Sequence, residues 1–239
     1  MALKPEVQAR LQERRAALDK FSEFVSWVQA HPSERWVFRG QSVRWPLKPS
    51  VGRSAAYTPE FERLLLREFQ RSALPHLDRS QLRNNWDWLA VAQHHGLPTR
   101  LIDWSTNPLV ACYFASQPSA RGKQDGEIVA VEARQIGYYD PDNPEEQDPF
   151  DITEVRFLRS SALAARIISQ RGLFSVHNNP KKAWYLTNKT KTFVIPAAMK
   201  TTFRRSLFAM GVDASTLMAD LDGLASTLKW RFQSGMLGE

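Results

Sequence analysis

The stretch Trp86–Ala115, which reads WDWLAVAQHHGLPTRLIDWSTNPLVACYFA, decides the fold. Its first part predicts a helix, because apolar residues follow a side-chain cap at Asn84 or Asn85. Gly96 suits the left-handed position just after a helix, and Pro98 prevents any continuation. We therefore expect this first helix to end in a tight turn.

A second helix should follow closely. Asn107 suits its N-cap and Pro108 its first turn, and the residues after them are almost wholly apolar, so this helix should be buried. The segment 99–104 connects the two helices. A rigid scaffold that presents a polar connector is a common way to build a site. The polar groups available there are Gln93, His94, His95, Arg100, Asp103, Ser105, Thr106 and Asn107.

Patterns on either side of this stretch predict an α+β fold with a mixed twisted β-sheet flanked by helices. We expect one domain, 1–239, with an N-terminal helical extension (1–31), an α+β core (32–196) and C-terminal helices (197–239). The acidic region 140–151 should be an exposed loop. Helices are expected over 5–30, 58–74, 160–169, 197–210 and 215–232, and strands over 34–39, 126–133, 172–176 and 190–195.

Composition limits the possible classes of protein. The chain has 239 residues, 43% of them hydrophobic, and a net charge of +7, which favours an anionic partner: nucleic acid, a phosphorylated cofactor or an acidic protein. The alternative is that the basic surface serves solubility. A single cysteine, Cys112, argues for a reducing compartment. The sequence has no apolar run of membrane-spanning length and no signal-peptide pattern, so we expect a cytoplasmic protein without membrane contact.

Motifs for common chemistries are absent from the sequence, which has no Walker loop, GxGxxG, GxSxG, HExxH or zinc-type cysteine pattern. His94 and His95 are adjacent, so on a helix their side chains should diverge and not share a metal ion. One of them is a candidate ligand or acid–base group, and the alternative is packing or exposure. Asp103 is the only acid in the central motif. A metal nuclease is therefore weakly supported, and we expect no resident metal.

The central motif resembles the signature of FRG-domain proteins. The matching residues are Gln93–Trp104, Asn107-Pro108, Ala111 and Phe114-Ala115, together with an upstream Phe38-Arg39-Gly40 triplet followed by Gln41. A later set also matches: Arg166, Gln170, Gly172, Phe174 and His177. The resemblance runs from about Trp36 to the C-terminus. It departs from the family at His95, where members often carry an aromatic residue such as Tyr.

A remoter resemblance is to the ADP-ribosyltransferase fold, which implies an ADP-ribosyltransferase-like core. That family holds NAD with an arginine on an early strand, and Phe38-Arg39 matches this piece. A Ser-Thr strand followed by a helix ending in Phe-Ala matches Trp104-Ser105-Thr106 and Phe114-Ala115. The family's catalytic Glu has no clean match, because the nearest polar candidate in order is Gln170.

Together these resemblances imply an NAD-dependent ADP-ribosyltransferase-like enzyme of a toxin or phage-defence system that acts on nucleic acid. Arg39 would hold NAD, Ser105 would order the pocket, and Gln170 with His95 would position the ribose or the acceptor. An arginine fork suits the NAD pyrophosphate, which is a dianion. The further cofactor contacts implied are Gly40, Gln41, Gln93, Arg100, Asp103, Trp104, Thr106, Arg166 and Phe174.

Other interpretations stay open at this point. The chain is alternatively a non-catalytic nucleotide- or nucleic-acid-binding module, or an interaction subunit with a cognate antitoxin or operon partner. Arg39 is alternatively a structural ion-pair partner of an acid such as Asp103, and Trp104 and Phe174 are alternatively core residues. If there is one site, Arg39, Asp103 and Arg166 should face one cleft together with Gln93 or His95.

Overall fold

The structure is a computed structural model that describes residues 4–77, 82–120, 122–143, 148–158, 171–186 and 189–237. In chain order the helices and strands are α1 (Pro5–Gln29), β1 (Trp36–Gln41), α2 (Pro59–Ala73), α3 (Asn85–His94), β2 (Leu101–Ser105), α4 (Pro108–Ala115), β3 (Gly126–Glu132), β4 (Tyr138–Tyr139), β5 (Arg156–Leu158), β6 (Gly172–Val176), β7 (Thr190–Ile195), α5 (Lys200–Ala209), α6 (Ala214–Met218) and α7 (Leu221–Gln233).

The chain divides into two compact units. Unit 1 comprises Met1–Arg44, Ser105–Val131 and Thr190–Glu239, and unit 2 comprises Trp45–Trp104 and Glu132–Lys189. The strand order is β1-β3-β7 in unit 1 and β4-β5-β6-β2 in unit 2. Strands β4 and β5 pair in parallel, whereas β5 with β6 and β3 with β7 pair antiparallel. The α+β class and the mixed strand pairing expected from the sequence are confirmed.

Unit 1 has a core in which helices α1, α4 and α5 cover strands β1, β3 and β7. Phe21 and Phe24 anchor the second half of α1 in this core, and Phe203 of α5 packs edge to face against Phe21 at 5.1 Å between ring centroids. The residues of the first half of α1, 5–16, are exposed. Helix α1 is therefore held by its C-terminal half alone among the described residues.

Helix α4 lies unusually close to strand β1. A Cβ atom added to Gly40 would stand 1.8 Å from the carbonyl oxygen of Ala111, and one added to Gly126 would stand 2.0 Å from that of Ala115. No side chain fits between these backbones. The two glycines therefore set the distance between α4 and the strands beneath it.

Unit 2 is built around α3. Every residue of this helix from Trp86 to Ala92 is buried, and none of them is more than 9% exposed. Leu101 of β2, Leu158 of β5 and Phe174 of β6 complete its core. Because α3 is buried on all sides over this stretch, it is stable only inside this packed unit.

Several local predictions are confirmed by the hydrogen bonds at helix ends. Asn84 caps α3 by accepting from Asp87 N at 3.1 Å, and Thr58 caps α2 by accepting from Phe61 N at 3.2 Å. Asn107 caps α4 through Leu109 N at 3.0 Å. Gly96 has φ = +83°, and Leu97 N donates back to Ala92 O at 2.9 Å, which closes the predicted turn.

Other predictions need correction. The connector 99–104 contains a strand, β2, and β1 continues to Gln41, so that Arg39 lies inside the strand. Two strands, β4 and β5, were not expected. The helix predicted over 215–232 is divided, because Ala219 adopts the left-handed conformation at φ = +55° and Asp220 caps a new helix. The helix predicted over 160–169 lies outside the described residues.

The acidic region is tethered more than its composition indicated. Arg83 pairs with Asp142 at 2.7 Å, and Arg63 pairs with Asp151 and, at 4.0 Å, with Asp148. Opposite charges on α2 and before α3 therefore hold the described part of this loop. Across the described residues, no helix combines the length and apolar character needed to cross a membrane.

Replacing Gly40 by Ala should lower the free energy of unfolding by about 3 kcal/mol, because the added methyl group forces α4 away from β1. Urea denaturation measures the change. Gly96→Ala is the matched control: its Cβ meets no atom within 4 Å, so it bears only backbone strain, about 1 to 2 kcal/mol. A Gly40→Ala variant as stable as the wild type would contradict the close α4–β1 contact.

Candidate functional site

Part of the central motif forms a set of linked hydrogen bonds in unit 2. The Gln93 side chain at the end of α3 donates from Nε2 to Asp103 Oδ2 at 2.8 Å and accepts from Thr99 Oγ1 at 2.7 Å. Thr99 Oγ1 also accepts from Leu101 N at 3.0 Å. These bonds fix the direction of the chain between α3 and β2. They also orient Asp103, whose carboxylate is exposed.

The two histidines of the motif lie together. The His94 and His95 rings are 4.8 Å apart and nearly perpendicular. The divergence expected for neighbours on a helix does not occur, because His95 is the C-cap, with φ = −86° and ψ = +11°, and has left the helical geometry. His95 is exposed and His94 is half-buried.

Arg100 is committed to an internal ion pair. Its Nε donates to Glu62 Oε1 at 2.9 Å and its Nη2 to Glu62 Oε2 at 2.6 Å, while Nη1 donates to Pro149 O at 2.9 Å. Both charged side chains are almost fully buried, and the guanidinium also lies 4.6 Å from the centre of the Phe150 ring. The predicted role of Arg100 in cofactor binding stays a prediction, and these contacts favour a structural role.

Trp104 and Phe174 both lie in the interior of unit 2. Trp104 Nε1 donates to Ser175 Oγ at 2.9 Å, and Ser175 Oγ is 2.9 Å from His177 Nε2. Phe174 belongs to the core around α3 and is 4% exposed. These contacts favour core packing for both aromatic residues over the predicted pocket walls.

Trp184, which is half-buried, packs beside the hydrogen-bonded side chains of Trp104, Ser175 and His177. Its ring lies 5.3 Å from His177 and 6.1 Å from Trp104. Sequence reasoning missed Ser175 and Trp184, although an alternation of Phe174, Ser175 and Val176 on a strand does indicate that Ser175 faces the other side from its neighbours.

The predicted cofactor residues of unit 1 occupy two faces of β1. Arg39 and Gln41 share one face, and Arg39 Nε donates to Gln41 Oε1 at 3.5 Å. Phe38 pairs with Ser105 across the strands, so that these two side chains lie with Gly40 on the other face, towards α4. Arg39 is half-buried and Gln41 is 6% exposed.

Ser105 shapes the turn that begins α4. Its Oγ accepts from Asn107 N at 2.9 Å, and Asn107 in turn caps the helix. Thr106, between them, is half-buried. The structure therefore gives Ser105 a contact suited to ordering this turn. The predicted residues Arg166 and Gln170 lie outside the described residues, and their place in a site stays a prediction.

A comparison with known families gives one match. Residues 34–124 match the family model of the FRG domain. The chain carries an FRG domain. The matched region includes the Phe-Arg-Gly triplet and the whole central motif, whereas the later resemblance, around His177, lies beyond it. No curated protein and no solved structure matches the chain.

Within the FRG domain, Glu62→Gln should lower the free energy of unfolding by about 3 kcal/mol, because Arg100 would stay buried without an opposite charge. Urea denaturation measures the loss. Glu68→Gln makes the same chemical change at an exposed position of α2, where the pair with Arg71 is solvated, and should change stability by less than about 1 kcal/mol. Equal losses of stability in the two variants would show that the buried pair contributes no more to stability than the exposed pair does.

The stability of the fold around Tyr57 should depend on pH. Burial, and then the negative charge of Glu62, raise the pKa of Tyr57 from 10.0 to about 12, and its hydroxyl is 3.2 Å from Glu62 Oε2. The folded state therefore holds this proton more tightly than the unfolded state. The resulting stabilisation is complete below pH 10.0 and is lost as the pH rises towards about 12.

Ultraviolet titration of the phenols checks this assignment. The wild-type curve minus that of Tyr57→Phe should show one phenol that ionises near pH 12, about two units above the ordinary value. Circular dichroism at each pH confirms that the protein is still folded. A difference curve centred at the ordinary value of 10.0 would contradict the contact with Glu62.

Proposed function

We propose that this FRG-domain protein is an NAD-dependent ADP-ribosyltransferase-like enzyme that acts on nucleic acid. The observation that carries the proposal is the arrangement in unit 1: Arg39 lies inside a strand, Phe38 pairs with Ser105, and a buried helix begins directly after the Ser-Thr step. This is the order of pieces that the resemblance to the ADP-ribosyltransferase fold implies. The toxin or phage-defence setting rests on the resemblance alone.

Arg39 is the residue we assign to the NAD pyrophosphate. A guanidinium presents several N–H donors in a plane, and a pyrophosphate presents oxygen acceptors and two negative charges. Arg39 is half-buried, so its charge is screened less than that of an arginine in open solvent. Gln41 supports it through the 3.5 Å contact with Arg39 Nε.

Ser105 acts in this proposal as a positioning residue. Its hydroxyl accepts from Asn107 N and so fixes the turn between β2 and α4. Gly40, which allows α4 to approach β1, keeps the strand that bears Arg39 in a rigid position. Rigid elements hold a ligand-binding side chain more accurately than loops do.

The chemistry of nicotinamide cleavage sets the remaining requirements. Breaking the bond to nicotinamide develops positive charge on the ribose, so catalysis depends on orientation and on groups that stabilise that charge. Gln170 and His95 are the candidates that the sequence supplies for positioning the ribose or the acceptor. Their roles stay predictions.

Arg39→Ala should abolish NAD binding while the fold is kept, because a half-buried guanidinium on a strand contributes mainly to anion recognition. Isothermal titration with NAD measures binding, and circular dichroism confirms folding. Arg35→Ala removes the same charge at an exposed position just before β1 and should bind NAD like the wild type. An unfolded Arg39→Ala protein would assign Arg39 to a structural ion pair instead.

Activity is tested by incubating the protein with labelled NAD and an oligonucleotide of RNA or DNA. The proposal requires loss of free NAD, release of nicotinamide and transfer of label to the oligonucleotide. NAD that binds and stays intact would favour the alternative, a non-catalytic nucleotide-binding module. No binding of NAD would overturn the proposal.

A further inference from the structure

Unit 1 contains a groove between the N-terminal half of α1 and helix α5, which we call the α1–α5 groove. It encloses about 440 Å³. Small apolar residues form part of its wall. Its polar lining consists of three guanidinium groups, two hydroxyl groups and one carboxylate, from Arg10, Arg14, Arg205, Thr202, Ser206 and Glu13. The proposed enzyme function uses none of these groups.

Two rows of hydrogen-bond donors line this groove. Arg10 and Arg14 are four residues apart on α1, so they lie on one face about 6 Å apart along the helix axis. Thr202 and Ser206 repeat the same spacing on α5, with Arg205 beside them. Guanidinium groups donate hydrogen bonds and accept none, and hydroxyl groups donate as well as accept. The groove therefore presents donors at a regular, one-turn interval.

Charge in the groove is positive. Its described lining carries three arginines and one glutamate, which gives a net charge of 3 − 1 = +2. Residues 5–16 of α1 are exposed along their whole length, so Arg10 and Arg14 are accessible from solvent. An anionic ligand with repeated acceptors and no donors matches this lining best.

A second basic cavity lies against another part of α5. It encloses about 200 Å³ at the N-terminal end of the helix, and its described lining contains Lys123, Lys200 and Arg204 without any acid. Lys200 Nζ donates to Ser42 O and Gln117 O, so it is engaged in the fold. Arg204 is half-buried and lies over the Trp230 ring at 4.8 Å. Lys123 is the exposed cationic group among the described residues of this cavity.

We propose that the α1–α5 groove binds the phosphodiester backbone of single-stranded nucleic acid. A phosphodiester chain is a regular polyanion that only accepts hydrogen bonds, which complements the two rows of donors. None of the described residues lining the groove is aromatic, so the contacts are made to the backbone and not to stacked bases. Binding is therefore independent of base sequence.

This inference adds a nucleic-acid-binding surface to the proposed function without depending on it, because binding is measured in the absence of NAD. The probe is a short, fluorescently labelled single-stranded oligonucleotide of mixed sequence, followed by fluorescence anisotropy between about 50 and 200 mM salt. Each phosphate contact should contribute about −0.7 to the log–log slope of affinity against salt.

Substitutions in the groove separate its contribution from the overall charge of the protein. The double variant Arg10→Ala/Arg14→Ala should bind about tenfold more weakly at low salt and lose about 1.4 from the salt slope. Arg205→Ala should weaken binding about threefold. Glu13→Gln removes the acid from the lining and should tighten binding about twofold.

Arg15→Ala is the matched control, because Arg15 is exposed on the same helix and carries the same charge but does not line the groove. It should bind like the wild type, and all variants should keep the wild-type circular dichroism spectrum. The proposal is overturned if Arg15→Ala weakens binding as much as the groove variants do. It is also overturned if the double variant binds normally, or if an acidic peptide binds the groove and the oligonucleotide does not.

Discussion

The ion pair between Arg100 and Glu62 is the interaction on which unit 2 depends. Each charged group is costly to remove from water, and the cost is offset only when both ends are fully hydrogen-bonded. Here the pair is bidentate, the third guanidinium nitrogen is bonded to Pro149 O, and Phe150 covers the plane of the guanidinium. One arginine therefore joins α2, β2 and the acidic loop. A pair of this kind fixes the relative positions of these elements more than it adds to net stability.

This ion pair changes how the central motif is interpreted. Four of its polar side chains make bonds within unit 2: Gln93 joins Thr99 to Asp103, and Arg100 is bonded to Glu62. A motif rich in polar residues is thus partly a structural device that fixes the turn between α3 and β2. Asp103 and His95 are the polar residues of the motif that remain exposed. They are the better candidates there for contact with a ligand.

Features governed by neighbouring residues were predictable from the sequence. Asn84, Thr58 and Asn107 cap helices as expected, because a cap depends on residues two or three positions away. The partner of Arg100 was not predictable, because Glu62 is 38 residues earlier in the chain. In the sequence Glu62 resembles any acidic residue in the first turn of a helix. Strand β5 was missed because a three-residue strand has too few side chains to show alternation. The faces on which Arg39 and Ser105 lie were not predictable either, because they follow from the pairing of Phe38 with Ser105, which only the fold shows.

The arginines of unit 1 differ in how far they are buried, and we infer that they act on ligands in different ways. Arg10, Arg14 and Arg205 are exposed, so the fields of their charges extend into water and are screened over about 8 Å at physiological ionic strength. Such groups attract a polyanion from solution and release it as salt rises. Arg39 is half-buried on a strand that α4 holds in place, so its contacts depend on geometry more than on ionic strength. Raising the salt concentration should therefore remove nucleic acid before it removes NAD, because the two ligands rely on charges with different access to solvent.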